Sequence, residues 1–303
     1  MDKIINKKIL LTGGTGFIGG HILSSLCDDN VLYCLARKSI KIKNKNNLFW
    51  INQDLQYPID SSKLPSDIDM ILHIAAEIDT TTSIINQYII NTMSTLRLLE
   101  YGKTKNIDTF LYASTGGIYE AFEEPVNDKE HPSFSGFYNL TKYESELLVN
   151  YYSKYFNTII LRYFFPYGTG QRSKRLISSI IRKIKEGEEI IINSNGKPEI
   201  NPIYISDLIE ATFRSILLIK NMTLDIAGPE KMNILTLSNK IAEILSREPK
   251  FKYIDGPNVG KLLGDNSLMK ELISFAPQVS INDGLRMTIE NLDKNLEQDI
   301  IFQ

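Results

Sequence analysis

The sequence predicts an α/β protein: a doubly wound parallel sheet covered by helices on both faces, with a smaller C-terminal α/β lobe. Three features lead there. Short apolar runs alternate with helical stretches through the first two-thirds of the chain, the pattern of strands buried on both faces. A glycine-rich turn, Thr12-Gly13-Gly14-Thr15-Gly16, directly follows the first apolar run. Beyond Gly168 the rhythm loosens into longer irregular connections. The expected division is 1–167, plus part of 200–228, for the sheet domain, and 168–199 with 229–303 for the lobe.

Ile9-Leu10-Leu11 reads as the first buried strand, and the glycine turn opens a helix from Phe17 to about Cys27. Val31 to Ala36 is a second strand, ending at Arg37-Lys38-Ser39. Met70 to Ala76 is another clear strand, running out into small residues where a ligand can approach the backbone. A helix around Ile89 to Tyr101 precedes the strand Thr109 to Thr115, whose final hydroxyls stand at the edge where such sheets bind ligands. Tyr138 and Lys142, four residues apart, share one face of a helix. Thr158 to Tyr163 is a further strand, closed by Pro166-Tyr167-Gly168. In the lobe a helix spans Leu176 to Lys185, and turns fall at Asn195-Gly196-Lys197-Pro198, Gly228-Pro229 and Gly256-Pro257.

With 303 residues the chain can bury a substantial core. A net charge of −2 and a pI near 6.0 carry no basic footprint for nucleic acid. The two cysteines, Cys27 and Cys34, are expected as reduced, buried thiols, which fits a cytoplasmic protein. The apolar run before Thr12 is too short for a signal segment or a membrane span. No His, Cys or acidic cluster has metal-ligand spacing, and His73 reads as a packed residue at a strand end.

The chemistry concentrates at two places. Glycines at a strand-to-helix turn let a pyrophosphate approach the free N–H groups of a helix N-terminus. Gly13, Gly16 and Gly19, spaced Gly-x-x-Gly-x-x-Gly, suit that use. At the end of the second strand an acid would bond an adenine-ribose 2′-hydroxyl, but here Ala36 is followed by Arg37 and Lys38, which suit a 2′-phosphate and favour NADP over NAD. Asp54-Leu55 is a further candidate adenine contact. Tyr138 is a phenol with an ordinary pKa near ~10, too high for a base at neutral pH. Lys142 one turn later, with an oxidised nicotinamide, is expected to lower it, so that Tyr138 exchanges a proton with a sugar hydroxyl or ketone as hydride moves. Thr115, with Ser114 the weaker candidate, is expected to bond the same substrate oxygen.

These segments resemble the extended short-chain dehydrogenases/reductases of the NAD-dependent epimerase/dehydratase type, over nearly the whole chain. Thr12 to Gly19 is similar to that family's cofactor fingerprint, Leu72 to Glu77 to its fourth-strand motif, Ser114 to Tyr119 to its Ser/Thr segment, and Tyr138-Asn139-Leu140-Thr141-Lys142 to its Tyr/Lys pair. Leu161 to Phe164, Tyr204 to Asp207 and Asp265 also match. The resemblance implies a Rossmann domain, a substrate lobe and a nucleotide-activated sugar as substrate. It places cofactor contacts on Gly13, Thr15, Gly16, Phe17, Ile18, Gly19, Ile74, Ala75, Ala76, Tyr138, Lys142 and Phe164, and substrate contacts on Ser114, Glu77, Phe165, Arg172 and Lys197. It also implies a homodimer built from the helix before the Ser/Thr strand and the Tyr/Lys helix, with Leu96, Leu98, Leu99, Leu147, Leu148, Tyr151 and Tyr152 as the apolar face.

Departures from the family pattern narrow the reaction. Sugar-nucleotide 4,6-dehydratases carry an acid just after the Ser/Thr hydroxyl, where this chain has Gly116 and Gly117. The remaining expectations are a keto-sugar reductase acting at C4, which Arg37 favours, and a 4-epimerase with tightly bound NAD. A protein that senses NADP(H) without turnover is the reading from another class. Phe165 stands where many relatives have Asn, and Ile200 where they have Arg; Arg172, Lys174, Arg175 or Lys197 is expected to restore the lost charge.

Overall fold

Successive side chains of a strand point to opposite faces of its sheet, so a strand apolar at every position must be covered on both sides. The computed structural model, which describes residues 3–38, 47–79, 81–119, 136–171, 174–193, 196, 198–254 and 261–295, follows this rule. In chain order its elements begin with β1 (Lys8–Thr12), α1 (Phe17–Leu26), β2 (Val31–Ala36), β3 (Leu48–Asn52), β4 (Met70–His73) and α2 (Ile84–Tyr88). A π-helical turn (Ile89–Met93) runs straight into α3 (Ser94–Lys105), followed by β5 (Thr109–Thr115), a 3-10 turn (Gly116–Tyr119), α4 (Phe137–Tyr152) and β6 (Asn157–Tyr163). The remainder is α5 (Leu176–Glu186), β7 (Glu189–Asn193), β8 (Glu199–Ile200), α6 (Ile205–Leu217), β9 (Met222–Ile226), β10 (Met232–Asn233), α7 (Ile234–Leu245), β11 (Lys250–Ile254), α8 (Ser267–Ile273) and α9 (Ile281–Asn295).

Seven strands form one parallel sheet in the order β3-β2-β1-β4-β5-β6-β9. Ile9, Leu11, Leu111, Ala113, Ile159 and Leu161 belong to one core, with α1, α5 and α6. Their neighbours Leu10, Phe110, Tyr112 and Ile160 belong to the other, with α3 and α4. The order reverses between β1 and β4. Right-handed crossovers then place α1 on one face and α3 and α4 on the opposite one. The crevice at that reversal, outside the carboxyl ends of β1 and β4, is where an α/β sheet takes its ligand.

Two small sheets, β10-β8 and β11-β7, lie outside the main one. Cys27 and Cys34 are buried thiols, and burial pushes the Cys34 thiol up to about 12. Among the described residues no helix is long and apolar enough to cross a membrane.

β4 stops at His73 rather than at Ala76. Its neighbour β1 ends at Thr12, opposite His73, and Gly13 then turns away, so Ile74, Ala75 and Ala76 have no ladder partner on that side. Ala75 N–H bonds the Thr12 hydroxyl instead, at 3.1 Å. The edge strand β3 was not anticipated by the sequence reading.

Candidate active site

The glycine turn has the shape its spacing implies. Gly13 lies at φ +77°, and a Cβ there would stand 2.8 Å from the Ala75 nitrogen. At Gly19 a Cβ would fall 2.0 Å from the Gly13 carbonyl oxygen, so α1 packs directly on the turn. Gly16 N–H closes the turn on Gly13 O at 2.8 Å. Gly16 is the N-cap of α1, no side chain caps the helix and no acid lies in its first turn, which leaves a positive helix end at the crevice. Thr15 and Gly16 are exposed there, with Phe17 and Ile18 half-buried beside them. These features fit a dinucleotide pyrophosphate.

His73 holds this corner together. Thr95 Oγ1 donates to Asn91 O at 2.6 Å, so in its 3.0 Å contact with His73 Nε2 it accepts. The proton therefore sits on Nε2, and Nδ1 accepts from Thr12 Oγ1 at 2.7 Å. Burial, with the Lys142 charge nearby, pushes the imidazole down to about 3. It is a neutral structural link, as its position at a strand end suggested. His21 Nε2 bonds the Thr169 carbonyl at 2.9 Å.

Tyr138 and Lys142 stand one turn apart on α4. Lys142 is 1% exposed, with Nζ 4.0 Å from the centre of the Tyr112 ring. Burial pushes its pKa down to about 7, against the pull of Glu146. Tyr138 is half-buried, and burial pushes its phenol up to about 12, with Arg175 opposing. Thr115 is half-buried at the end of β5, and its Oγ1 accepts Gly117 N–H at 3.1 Å, which leaves its own proton for another acceptor.

The Lys142 pKa has a consequence for stability. Its folded value of about 7 lies below the ordinary 10.5, so the folded state binds fewer protons between those values. The penalty is complete below about pH 7 and fades as pH rises toward 10.5. Lys142→Met should therefore be more stable than the natural chain by roughly 2–4 kcal/mol near neutral pH, the lost cation–π contact taking part of the gain. Urea unfolding at several pH values checks this; a gain that does not shrink in alkali would refute the assignment.

Several residues that sequence reasoning missed complete the corner. Asn91, in the π-helical turn, bonds Glu77 N–H with Oδ1 at 2.7 Å and, through Nδ2, both Glu77 O and Thr141 Oγ1 at 3.0 Å. It thus ties the loop after β4 to the helix carrying Tyr138 and Lys142. Such π turns are frequent at functional sites. A polar pair inside the apolar stretch Ile89-Ile90-Asn91-Thr92 was the available signal. Glu146, one turn beyond Lys142 on the same helix face, bonds Arg162 through Nε at 3.0 Å and Nη2 at 2.6 Å.

Other expected contacts fall elsewhere. Ser114 is buried and donates to Glu146 Oε1 at 2.5 Å, so it does not face a substrate. It has the opposite strand parity to Thr115. Phe164 is 1% exposed and packs with Ile118, Tyr119 and Ala227, so its side chain is core and not a cofactor wall. Leu55 is likewise buried in the core, and Asp54 accepts Gln56 N–H at 2.9 Å in a local turn. Phe165 has φ +44°, a left-handed conformation that suits the Asn expected there better than a bulky aromatic. Ile200 is buried. Lys38 is exposed, and Arg37, 68% exposed, meets Glu77 Oε2 at 3.8 Å. Lys174 and Arg175 are exposed just before α5. Arg172 and Lys197 lie outside the described residues.

Residues 9–233 match the NAD dependent epimerase/dehydratase family. The chain belongs to that family. An uncharacterised UDP-glucose epimerase of Bacillus subtilis (strain 168) is 28% identical over 310 residues, covering 94% of this chain and 98% of its own. Among solved structures, a UDP-N-acetylglucosamine 4-epimerase from Methanobrevibacter ruminantium M1, in complex with UDP-N-acetylmuramic acid, superposes with a TM-score of 0.87 at 26% identity, covering 96% of this chain and all of that one. The UDP-glucuronic acid 4-epimerase of Bacillus cereus, in complex with UDP-glucuronic acid and NAD, gives 0.85 at 26%, covering 95% and 99%. As a member of the epimerase/dehydratase family, the chain has its glycine turn, Thr115 and the Tyr138/Lys142 pair around the same end of the sheet.

Proposed function

We propose that this chain is an NAD-dependent nucleotide-sugar 4-epimerase. The observation that carries the reading is the set Thr115, Tyr138 and Lys142 with glycine at both positions that follow Thr115. A Cβ at Gly116 would lie 2.5 Å from the Phe164 ring, and one at Gly117 2.5 Å from Asn139 Oδ1, so packing as well as sequence keeps a dehydratase acid out of both positions. The dinucleotide, when bound, supplies the hydride acceptor and donor for C4. The role of Tyr138 is to take the proton from the C4 hydroxyl and return it after the sugar has presented its other face. Thr115 donates to the same oxygen and holds it in line. Lys142, when it carries its proton, favours the phenolate, and the Arg175 charge opposes the rise that burial imposes on the phenol. The groups proposed to hold the pyrophosphate are the N–H groups at Gly16 and the first turn of α1.

The relatives named above are epimerases, and the Bacillus cereus one carries NAD; both favour an epimerase over the keto-sugar reductase that Arg37 had suggested. A nucleotide sugar brings a diphosphate, and Lys174 and Arg175 are the cations we assign to it, with Phe165 and Ile200 unable to serve. Lys174 and Arg175 also act on Asp79, whose carboxyl is lowered first by its hydrogen bonds from Thr81. Residues 168–199 and 229–303 are the proposed substrate lobe. To test the activity, UDP-glucose, UDP-glucuronic acid and UDP-N-acetylglucosamine would be incubated with the enzyme and NAD and followed by proton NMR. The 4-epimer without net change in dinucleotide absorbance is expected. A 4-keto-6-deoxy product, or steady consumption of reduced dinucleotide, would sink the reading.

The dimer remains part of the proposal in altered form. Leu98, Leu99 and Tyr152 are buried against the sheet, so they are unavailable, while Leu147 and Tyr151 are 53% and 62% exposed on α4. Ile84 and Ile85 add apolar surface on α2, which packs beside α4. Sedimentation equilibrium should give a dimer that Tyr151→Glu dissociates; a monomer at micromolar concentration would count against it.

A further inference from the structure

In a doubly wound sheet the acid that reads an adenine-ribose diol stands at the end of the second strand. This chain has Ala36 there and a cation, Arg37, next to it. Arg37 is nevertheless not an isolated positive charge. Its Nη1 lies 3.8 Å from Oε2 of Glu77, which follows β4. In the sheet β1 lies between β2 and β4, so this pair reaches across the carboxyl end of β1, where Gly13 turns.

The two partners differ in freedom. Arg37 is 68% exposed, whereas Glu77 is 17% exposed and held from several directions. Asn91 bonds both its backbone N–H and its carbonyl, Gln87 Nε2 reaches the same carbonyl at 3.4 Å, and Asp79 N–H donates to Oε1 at 3.0 Å. The carboxylate is therefore a fixed acceptor to which a flexible guanidinium comes.

We infer that Glu77 supplies, from the loop after β4, the carboxylate missing at the end of β2, and that the Arg37–Glu77 pair selects an adenine ribose with a free 2′-hydroxyl over one carrying a 2′-phosphate. This rests on the dinucleotide site proposed above and specifies how that site chooses its ligand. A diol can accept from Arg37 and donate to Glu77 at once. A 2′-phosphate has only acceptors to offer, must take Arg37 from Glu77, and brings like charge toward a fixed carboxylate. Glu77, expected from the sequence to touch substrate, is thus assigned to the cofactor.

The test is equilibrium binding of NADH and NADPH to the full chain, read by nucleotide fluorescence and by calorimetry and independent of turnover. The natural chain should bind NADH about tenfold more tightly, or better. Glu77→Gln, which keeps the hydrogen-bonding shape, should narrow that ratio by about fivefold through tighter NADPH binding. Arg37→Ala should weaken NADPH further and leave NAD still preferred. Thermal unfolding establishes that each variant is folded. A natural chain that prefers NADPH, or a ratio that Glu77→Gln leaves within about twofold, would overturn the inference while leaving the dinucleotide site standing. Binding of neither nucleotide would overturn the site and the inference together.

Discussion

Replacing Tyr138 with Phe should lower epimerase turnover by about 10²–10⁴-fold, the range that positioned acid–base groups contribute. Dinucleotide affinity should change little, because the substitution removes one oxygen and keeps the ring packed on α4. The split between the two readouts is the point. A protein that only sensed dinucleotide would keep its binding and have no turnover to lose, whereas an enzyme with another base would keep its turnover. The protonation states also matter. With the phenol pushed up to about 12 and Lys142 down to about 7, both groups are neutral over most of the range between, so the rate should depend on charge brought near Tyr138. Arg175→Gln removes the protein cation that opposes the rise, and should move the limb on which the rate climbs with pH to higher pH, because the phenolate is the form that takes the proton.

Arg162→Met should cost about 3–5 kcal/mol of stability, the usual penalty for breaking a buried ion pair by removing one side. Arg162 is 8% exposed, and Glu146 and Asp225, each 2% exposed, lie at 2.6 and 4.0 Å from it. Burial works against its charge, but the hydrogen bonds and attraction of Glu146 hold its pKa above the ordinary value. Arg162 also donates to the Tyr119 hydroxyl. Its removal would take the shared cation from two buried carboxylates, Glu146 on α4 and Asp225 on β9. An unpaired buried carboxylate escapes its penalty by taking up a proton, so the deficit should shrink as pH falls. Chemical denaturation at two pH values checks both parts. A loss below about 1 kcal/mol would mean that the network is not a keystone of the fold.

The strands and the two motifs were legible because their signals are local. Ile9 to Leu11, Val31 to Ala36 and Phe110 to Ala113 are apolar over consecutive residues, and few alternatives bury such a run on both faces. β3 was missed because Phe49, Trp50 and Ile51 belong to a sheet edge, where half-burial blurs the pattern. The stop of β4 at His73 depends on where β1 ends, which lies some 60 residues away in the chain.

By itself the sequence determined the winding of the sheet, the glycine cradle and the Tyr138/Lys142 pair, since each depends on spacing along one turn, strand or helix. Only the tertiary structure decided that Ser114 serves Glu146 and Arg162, that Phe164 fills core, that Leu98 and Leu99 are unavailable to a partner, and that Arg37 faces Glu77. The reason is physical: a side chain's role is set by the group it meets when desolvated, and these partners lie from 32 to 40 and more residues away in sequence, on elements that only the folded sheet brings together.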